Sequence, residues 1–313
     1  MSEYPLWLEN ALQTLATGVM VGGTYALMCV GLGLIFGVMR VINFAQGDFM
    51  MLGMYAAFYA FTYLGVSAVF GAYVGPIVAA FLAGPIVFVI AWYLHWLLLS
   101  RVSGTAAQGA EAEGHYAQLI LTLGIALVLQ NGGLIIFGSW PQSLRTPLSN
   151  EAWFIDPVFF NKSRVVAFVV AIGIAMVLYL FMNRSGYGKA LRAAADNPDA
   201  AIYMGIDVDR AHRMAFAIGI GLTAVAGGLV AMYYPFQPYV GLEFVIIMYT
   251  GVVLGGLGSI MGAFWGGMTV GLVQQLSTLI LPIQLQNTAI FVVFLLIVMF
   301  RPQGLFGRSA ERA

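Results

Sequence analysis

The chain has 313 residues, of which 61% are hydrophobic and only 8% are charged, and its 13 basic and 13 acidic residues give it no net charge. Several apolar runs are long enough to cross about 30 Å of hydrocarbon, which indicates an integral membrane protein with many spans in the lipid bilayer and excludes a soluble domain. No basic stripe is present, so nucleic acid is not expected as a partner. The one cysteine, Cys29, excludes a disulfide within the chain and a multi-cysteine metal site.

Nine apolar segments are predicted to cross the membrane as helices, which makes the fold class all-α and polytopic. The chain is expected to form one transmembrane domain over residues 1–313. The first segment is long and interrupted by glycines, so eight or ten spans also fit the pattern. The predicted spans are residues 11–36, 50–66, 73–99, 119–137, 165–182, 214–234, 244–257, 260–281 and 288–300.

Four polar residues follow the first span within a dozen positions: Arg40, Asn43, Gln46 and Asp48. Polar groups at membrane depth are costly unless they face protein or a water-filled cavity. Glycines on both sides permit a broken helix. The pattern predicts a discontinuous segment in which Asn43, Gln46 and Asp48 line a translocation pathway. A short cytoplasmic turn with Arg40 as its positive anchor is the alternative.

Two stretches between spans are predicted to be linkers. The first, residues 102–118, is small and polar. The second, residues 138–163, contains two tryptophans, further aromatic residues and three prolines, a mixture typical of an ordered segment in the membrane interface. This second linker could also be a gate or a contact for an outside partner.

The longest polar stretch, residues 183–213, is called here the central polar segment. It carries five of the 13 basic and four of the 13 acidic residues, and apolar runs flank it on both sides. Helix-forming residues predict a helix over 187–196. Asn197 is a good N-cap and Pro198 fits a first helical position, so a second short helix should follow and end at Gly205. The segment is therefore predicted to form two short helices lying across a membrane surface.

A dense set of glycines lies between residues 251 and 271. Glycines at spacings of three and four residues form a smooth helix face that lets neighbouring helices approach closely, so they predict packing. Glu243 stands at the start of a span and is interpreted as an interface residue, with a place in the pathway as the alternative. The glycines are Gly251, Gly255, Gly258, Gly262 and Gly266, followed by Gly267 and Gly271.

The distribution of basic residues predicts the orientation. With alternating spans and the central polar segment in the cytoplasm, the N-terminus lies outside, and ten basic residues lie inside against three outside, which is a clear positive-inside bias. Those inside are Arg40, Arg101, Arg184, Lys189, Arg192, Arg210, Arg213, Arg301, Arg308 and Arg312, and those outside are Arg145, Lys162 and Arg164.

Several kinds of chemistry have no support in the sequence. It contains neither GxxxxGK[ST] for a nucleotide nor GxSxG for a catalytic serine, and its three histidines lack metal-ligand spacing. A non-catalytic protein without a metal is therefore predicted. Only Asp48 and Glu243 could serve ion coupling, which favours an external energy source. A stand-alone secondary transporter or channel for small polar solutes such as urea or amides is the alternative.

Four stretches of the chain closely resemble the branched-chain amino acid permeases of the LivH type, which belong to high-affinity ABC importers. They occur in the same order and extend over nearly the whole chain. At Gln46 and Asp48 many relatives are expected to have histidine and glutamate, which leaves the substrate open. The four stretches are GLIFGVMRVINFAQGDFMMLGMYAAF, SGYGKALRAAADNPDAAIYMGI, VVLGGLGSIMGAFWGG and RPQGLFGR.

The resemblance implies a multi-pass subunit of the bacterial inner membrane that imports branched-chain or related amino acids. It implies four partner subunits of three kinds: a second, LivM-like permease subunit, two ATP-binding subunits and a periplasmic substrate-binding protein. ATP and Mg²⁺ would be bound by the partner subunits, with no cofactor on this chain. The central polar segment would be the coupling loop that contacts the ATPase. Its contact residues, by position, are Gly186, Lys189, Arg192, Ala195, Asn197 and Pro198.

Overall fold

A computed structural model of the protein describes residues 5–103, 111–301 and 303–305. Most of this part is helical, since a helix satisfies its own backbone hydrogen bonds in lipid. The elements are α1 (Leu6–Met39), α2 (Gln46–Thr62), α3 (Val66–Leu94), a π-helical turn (His95–Leu99), α4 (Ser100–Ser103), α5 (Glu111–Phe137), α6 (Pro147–Asn150), β1 (Ala152–Ile155), β2 (Val158–Asn161), α7 (Lys162–Arg184), α8 (Gly186–Asp196), α9 (Pro198–Tyr203), α10 (Val208–Val230), α11 (Val240–Gly255), α12 (Ile260–Ser277), a 3₁₀ turn (Ile283–Leu285) and α13 (Gln286–Phe300).

Six helical stretches in the described residues are long and apolar enough to cross a membrane: α1, α3 with its continuation, α5, α7, α10 and α13 with the turn before it. The all-α polytopic class is thus confirmed. Three further helices fall outside this set: α2 with 17 residues and α11 with 16 are shorter, and α12 with 18 is as long as the last of the six. At 1.5 Å per residue, α2 and α11 are each about 25 Å long, which is less than the thickness of the hydrocarbon.

The prediction of a linker over residues 102–118 is wrong for most of its length. α4 ends at Ser103, and α5 already begins at Glu111, so residues 111–118 are helical. Residues 104–110 lie outside the described part of the chain. The physical reason is that this stretch, although polar, is rich in alanine and glutamate, which are strong helix formers.

The second predicted linker is ordered, as expected, and contains the two strands found in the described residues. β1 pairs antiparallel with β2, with Trp153 opposite Phe160. Lys162, at the start of α7, forms an ion pair with Glu151, which precedes the hairpin. The hydrogen bond from Lys162 holds the pKa of the Glu151 carboxyl group below its usual range, and a bond from the Tyr73 hydroxyl acts in the same direction. The hairpin is thereby tied to α7 and α3.

The longest helix, α1, packs antiparallel along α12. A Cβ atom added at Gly22 would lie 2.9 Å from the Met268 carbonyl oxygen, and one at Gly33 would lie 2.8 Å from the Ala263 methyl group. The partner's residue number falls as that of α1 rises, which fixes the antiparallel direction. Lipid provides little hydrophobic driving force for helix association. The close backbone contact that glycine allows therefore holds the two helices together.

The helices α10 and α3 form a second pair of the same kind. A Cβ atom at Gly228 would lie 2.8 Å from the Ala80 backbone, and one at Gly221 would lie 3.3 Å from the Phe88 side chain. This pair is also antiparallel. In addition, α2 packs on α3 as α11 packs on α12. The group α1–α2–α3 therefore corresponds to the group α10–α11–α12.

The two three-helix groups meet at their equivalent positions. Gly31 of α1 and Gly219 of α10 approach so closely that a Cβ atom on either would lie 2.5 Å from the other's carbonyl oxygen. Gly47 of α2 and Gly241 of α11 also touch through their backbones. Since α1 and α10 run antiparallel at this crossing, the groups have opposite directions. This arrangement is an inverted repeat, which is common in transporters.

The glycines between residues 251 and 271 lie on α11, on α12 and in the turn between them. Gly251 and Gly255 of α11 face Gly266 and Gly262 of α12, and a Cβ atom at Gly266 would overlap the Gly251 carbonyl oxygen. A turn joins the helices, with Gly258 at a φ of 87° that favours glycine. The close approach predicted from the sequence is confirmed, both within this helical hairpin and, through Gly267 and Gly271, between α12 and α1.

Substituting one of these glycines separates packing from helix propensity. Gly266→Ala is expected to lower the free energy of unfolding by about 1–3 kcal/mol, because the added methyl group has no space. Gly173 of α7 is the control position. A methyl group added there meets no described atom within 4 Å, so Gly173→Ala is expected to raise the free energy of unfolding by up to about 1 kcal/mol through helix propensity. Thermal unfolding of the purified protein measures both. Equal shifts for the two variants would contradict the packing role of Gly266.

Candidate functional site

The central polar segment folds into two capped helices. The Ser185 hydroxyl accepts a hydrogen bond from the Gly188 N–H at the start of α8, and the Asn197 side chain accepts one from the Ala200 N–H at the start of α9. Pro198 occupies the first position of α9, where its missing N–H has no consequence. Gly205 follows with a φ of 78°. The predicted pair of helices with a break at Asn197 is confirmed.

One face of α8 is packed against the transmembrane helices. Leu191 and Ala194 are buried, and the backbone of Gly188 lies against that of Met182 in α7. The Arg40 guanidinium also donates a hydrogen bond to the Ala195 carbonyl oxygen, over 3.4 Å. The helix is therefore held directly beneath the end of α1, next to the break between α1 and α2.

The other face of the segment is open. Of the six predicted contact residues, five are exposed and Ala195 is half-buried. Three neighbouring apolar residues, which the sequence prediction missed, are also strongly exposed: Tyr187 at 64%, Tyr203 at 89% and Met204 at 81%. Their signal is an apolar side chain within an otherwise polar stretch. The exposed predicted residues are Gly186, Lys189, Arg192, Asn197 and Pro198.

The second group of candidate residues surrounds the break between α1 and α2. α1 ends at Met39, Arg40 adopts a left-handed conformation with a φ of 54°, and α2 begins only at Gln46. The predicted discontinuity is thus present. It is six residues long, and its polar groups bond within the protein, as backbone outside a helix requires in a membrane.

Asn43 and Gln46 form a buried hydrogen-bond network. The Asn43 amide donates to Gln46 Oε1 over 3.0 Å, and its own oxygen accepts from the Ala45 N–H. Gln46 Nε2 donates to Thr223 Oγ1 of α10 over 2.7 Å. All three polar side chains are fully buried. Thr223, which the sequence prediction missed, links this network to the second three-helix group.

Asp48 lies apart from this network, in the first turn of α2. Its Oδ1 packs against Gly241 in the first turn of α11, and this buried oxygen has no hydrogen-bond partner among the described residues. The Gln130 side chain of α5 lies close to the carboxyl group. Two helix N-termini therefore converge on one carboxylate, and the positive end of a helix dipole stabilises negative charge.

The arrangement places an interior polar site and a surface segment side by side. Arg40 begins the break that leads to Asn43 and Gln46, and it also contacts α8. A displacement of α8 would therefore be transmitted through Arg40 directly to the break between α1 and α2. The structure brings Asn43 and Gln46 together, and it places Asp48 two residues further on, at the contact with α11.

Comparison with known proteins identifies the family. Residues 14–300 match the model of the branched-chain amino acid transport system permease component. The chain belongs to this family. The high-affinity branched-chain amino acid transport system permease protein BraD of Pseudomonas aeruginosa is 33% identical over 308 residues, which cover 96% of this chain and 97% of BraD. No solved structure matches the chain.

Two LivH proteins show the range of these relatives. The high-affinity branched-chain amino acid transport system permease protein LivH of Escherichia coli K12 is 31% identical over 314 residues, which cover 98% of each protein. The probable branched-chain amino acid transport permease protein LivH of Methanocaldococcus jannaschii is 29% identical over 259 residues, covering 80% of this chain and 76% of the relative. The permease is therefore a multi-pass protein of the inner membrane, as predicted.

Cysteine substitution tests whether Asn43 and Asp48 face a pathway. In a Cys29→Ala background, Asn43→Cys and Asp48→Cys are expected to react with a membrane-impermeant thiol reagent when the assembled transporter is given ATP and substrate. Met28→Cys, at a fully buried packing position, is the matched control and should stay unreactive. Tyr203→Cys, on the exposed surface of α9, should react when the chain is labelled without partner subunits. The prediction is wrong if neither Asn43→Cys nor Asp48→Cys reacts in any state.

Proposed function

We propose that the permease is the membrane subunit of an ATP-driven importer for branched-chain or related amino acids. The observation that carries this proposal is the position of α8, which lies between an exposed surface and the break that begins at Arg40. A partner that moves α8 would act on the interior polar site. The names of the relatives, BraD and LivH, supply the substrate class.

The proposal requires partner subunits. Because the sequence has no GxxxxGK[ST] motif, two separate ATP-binding subunits would bind ATP and Mg²⁺, and this chain would carry neither catalysis nor a cofactor. A second, LivM-like permease subunit would complete the pathway, and a periplasmic binding protein would deliver the substrate. The exposed surface of α8 and α9, with Tyr203 and Met204, is the proposed contact with the ATPase.

The proposed topology has nine spans in one transmembrane domain over residues 1–313, with the N-terminus outside and residues 183–213 as the cytoplasmic coupling loop. The three further helices α2, α11 and α12 are counted as spans. α2 and α11 would start within the membrane, where Gly47 meets Gly241. In this topology the hairpin of β1 and β2 faces the periplasm.

Transport would follow from movement of the coupling loop. Closure of the two ATPases would displace α8 and α9, and the attached helices α7 and α10 would rock between inward-facing and outward-facing states. The substrate is moved only because it binds these states with different affinity. Asn43, Gln46 and Asp48 are the proposed polar lining of the pathway.

A stand-alone secondary transporter or channel is the second candidate. The observation in its favour is the buried Asp48 oxygen that has no hydrogen-bond partner in the described part of the chain, since such a group could exchange a proton or bind a cation during transport. Uptake into sealed vesicles distinguishes the two. Leucine uptake that requires the ATP-binding subunits, the second permease, the binding protein and ATP supports the importer. Uptake by this chain alone would reject it in favour of the second candidate.

Two substitutions test the coupling loop. Proline at residue 197 cannot adopt the observed φ of −148° and lacks the N–H that donates to the Ala193 carbonyl oxygen, so Asn197→Pro should disrupt the junction of α8 and α9. Arg192→Glu reverses an exposed charge that also bonds Asn183. In either variant, ATP hydrolysis should continue while uptake falls about tenfold, equivalent to about 1.4 kcal/mol of coupling free energy.

Conservative changes at the same positions are the controls. Asn197→Asp retains the helix cap, and Arg192→Lys retains the charge, so both should import normally. Thermal unfolding should be similar for all four variants. Normal uptake by both Asn197→Pro and Arg192→Glu would refute the coupling role of this loop.

A further inference from the structure

A cleft between α11 and α13 lies outside the proposed pathway residues. Its enclosed volume is about 40 Å³, and it combines one carboxylate and one amide with apolar walls. A concave site with few polar groups and apolar walls is the usual form of a small-molecule site. The lining residues are Glu243, Ile246, Ile247, Asn287, Ile290 and Phe291.

The carboxylate of this cleft has no cationic partner among the described residues. Within the residues that the structure describes, the one ion pair joins Lys162 of α7 to Glu151, which precedes the β-hairpin. Glu243 is half-buried, and its Oε2 accepts a hydrogen bond from the Tyr234 hydroxyl over 3.0 Å. A neutral donor fixes the position of the carboxylate but leaves its charge uncompensated. A cationic ligand would supply that compensation.

The amide of the cleft is held in place from behind. Asn287 Oδ1 accepts a hydrogen bond from Gln274 Nε2 over 3.1 Å, and Gln274 Oε1 accepts one from the Tyr25 hydroxyl over 2.8 Å. This chain connects α13 to α12 and α1 and uses only the oxygen of the Asn287 amide. Its NH₂ group has no acceptor in the described part of the chain and lines the same cleft as Glu243, and a donor of this kind suits a carboxylate.

The inverted repeat gives Glu243 a counterpart. Asp48 lies in the first turn of α2, one residue after Gly47, and Glu243 lies in the first turn of α11, two residues after Gly241. Each acid has an amide residue on a neighbouring helix. Gln130 of α5 accompanies Asp48, and Asn287 of α13 accompanies Glu243. The two halves thus carry one acid each, at similar places in oppositely directed groups.

We propose that the Glu243 cleft binds the ammonium group of the amino acid substrate, with the aliphatic side chain against Ile246, Ile290 and Phe291. The Asn287 amide lies where it can meet the substrate carboxylate. The inference rests on the proposed function for the identity of the ligand. It adds a second acidic binding site, in the half of the protein opposite Asp48.

A membrane offers another source of the same chemistry, because the headgroup of phosphatidylethanolamine also carries a primary ammonium group. The full chain is therefore placed in nanodiscs of phosphatidylcholine alone, and separately in nanodiscs that contain phosphatidylethanolamine. Dicyclohexylcarbodiimide adds to carboxyl groups in apolar surroundings, and mass spectrometry of the Glu243 peptide follows the N-acylurea product. This readout does not require transport.

Three small molecules resolve which group is recognised. In phosphatidylcholine nanodiscs, leucine and 3-methylbutylamine should slow labelling of Glu243 several-fold, because both carry the ammonium group. 4-Methylpentanoate, which has the same aliphatic chain and a carboxylate but no ammonium, should not protect. Loss of protection by leucine in Tyr234→Phe, with normal protection in the control Glu151→Gln, would support the cleft as the site.

Other outcomes would overturn the proposal. Equal protection by 4-methylpentanoate would show that the ammonium group is not recognised. Protection by phosphatidylethanolamine without any by leucine would assign the cleft to a lipid. Vesicle uptake separates this failure from failure of the proposed function. If the complex imports leucine with ATP, but leucine does not change the labelling of Glu243, the cleft is rejected and the proposed function stands.

Discussion

The hydrocarbon interior of a bilayer offers no partner to a backbone N–H or carbonyl group, and it is as apolar as the side chains that face it. Helices in this permease therefore associate through close contact between backbones. Glycines provide that contact along α1 and α12, along α10 and α3, and between α11 and α12. The same requirement explains how the break between α1 and α2 is tolerated, since Asn43, Gln46 and Thr223 bond to one another inside the protein.

Interior polar groups and the exposed surface of α8 are connected over a short distance. The Arg40 side chain reaches α8, while the backbone that follows Arg40 leads directly to Gln46. Movement at the surface consequently does not need a long chain of packed residues to reach the interior. Asp48 and Glu243 stand at the starts of α2 and α11, where the helix dipoles favour negative charge.

Local signals were sufficient to predict much of the fold from the sequence. Apolar runs located the spans, and Asn197 with Pro198 located the start of α9 within one residue. The linker over residues 102–118 was misjudged because polarity was given more weight than helix propensity. Two contacts could not be predicted from any local pattern, because they depend on how different helices meet in the folded protein. They are the hydrogen bonds of Gln46 with Thr223 and of Tyr234 with Glu243. Tyr203 and Met204 were passed over because each is ordinary when viewed singly.

The contact between Gly47 and Gly241 has a mechanical consequence. Two helix starts that touch backbone to backbone cannot slide past each other, because a carbonyl oxygen would strike the opposite chain. Rotation about the point of contact meets no such obstacle. The contact can therefore act as a fulcrum at the centre of the molecule, so that opening α2 and α11 toward one side of the membrane closes them toward the other.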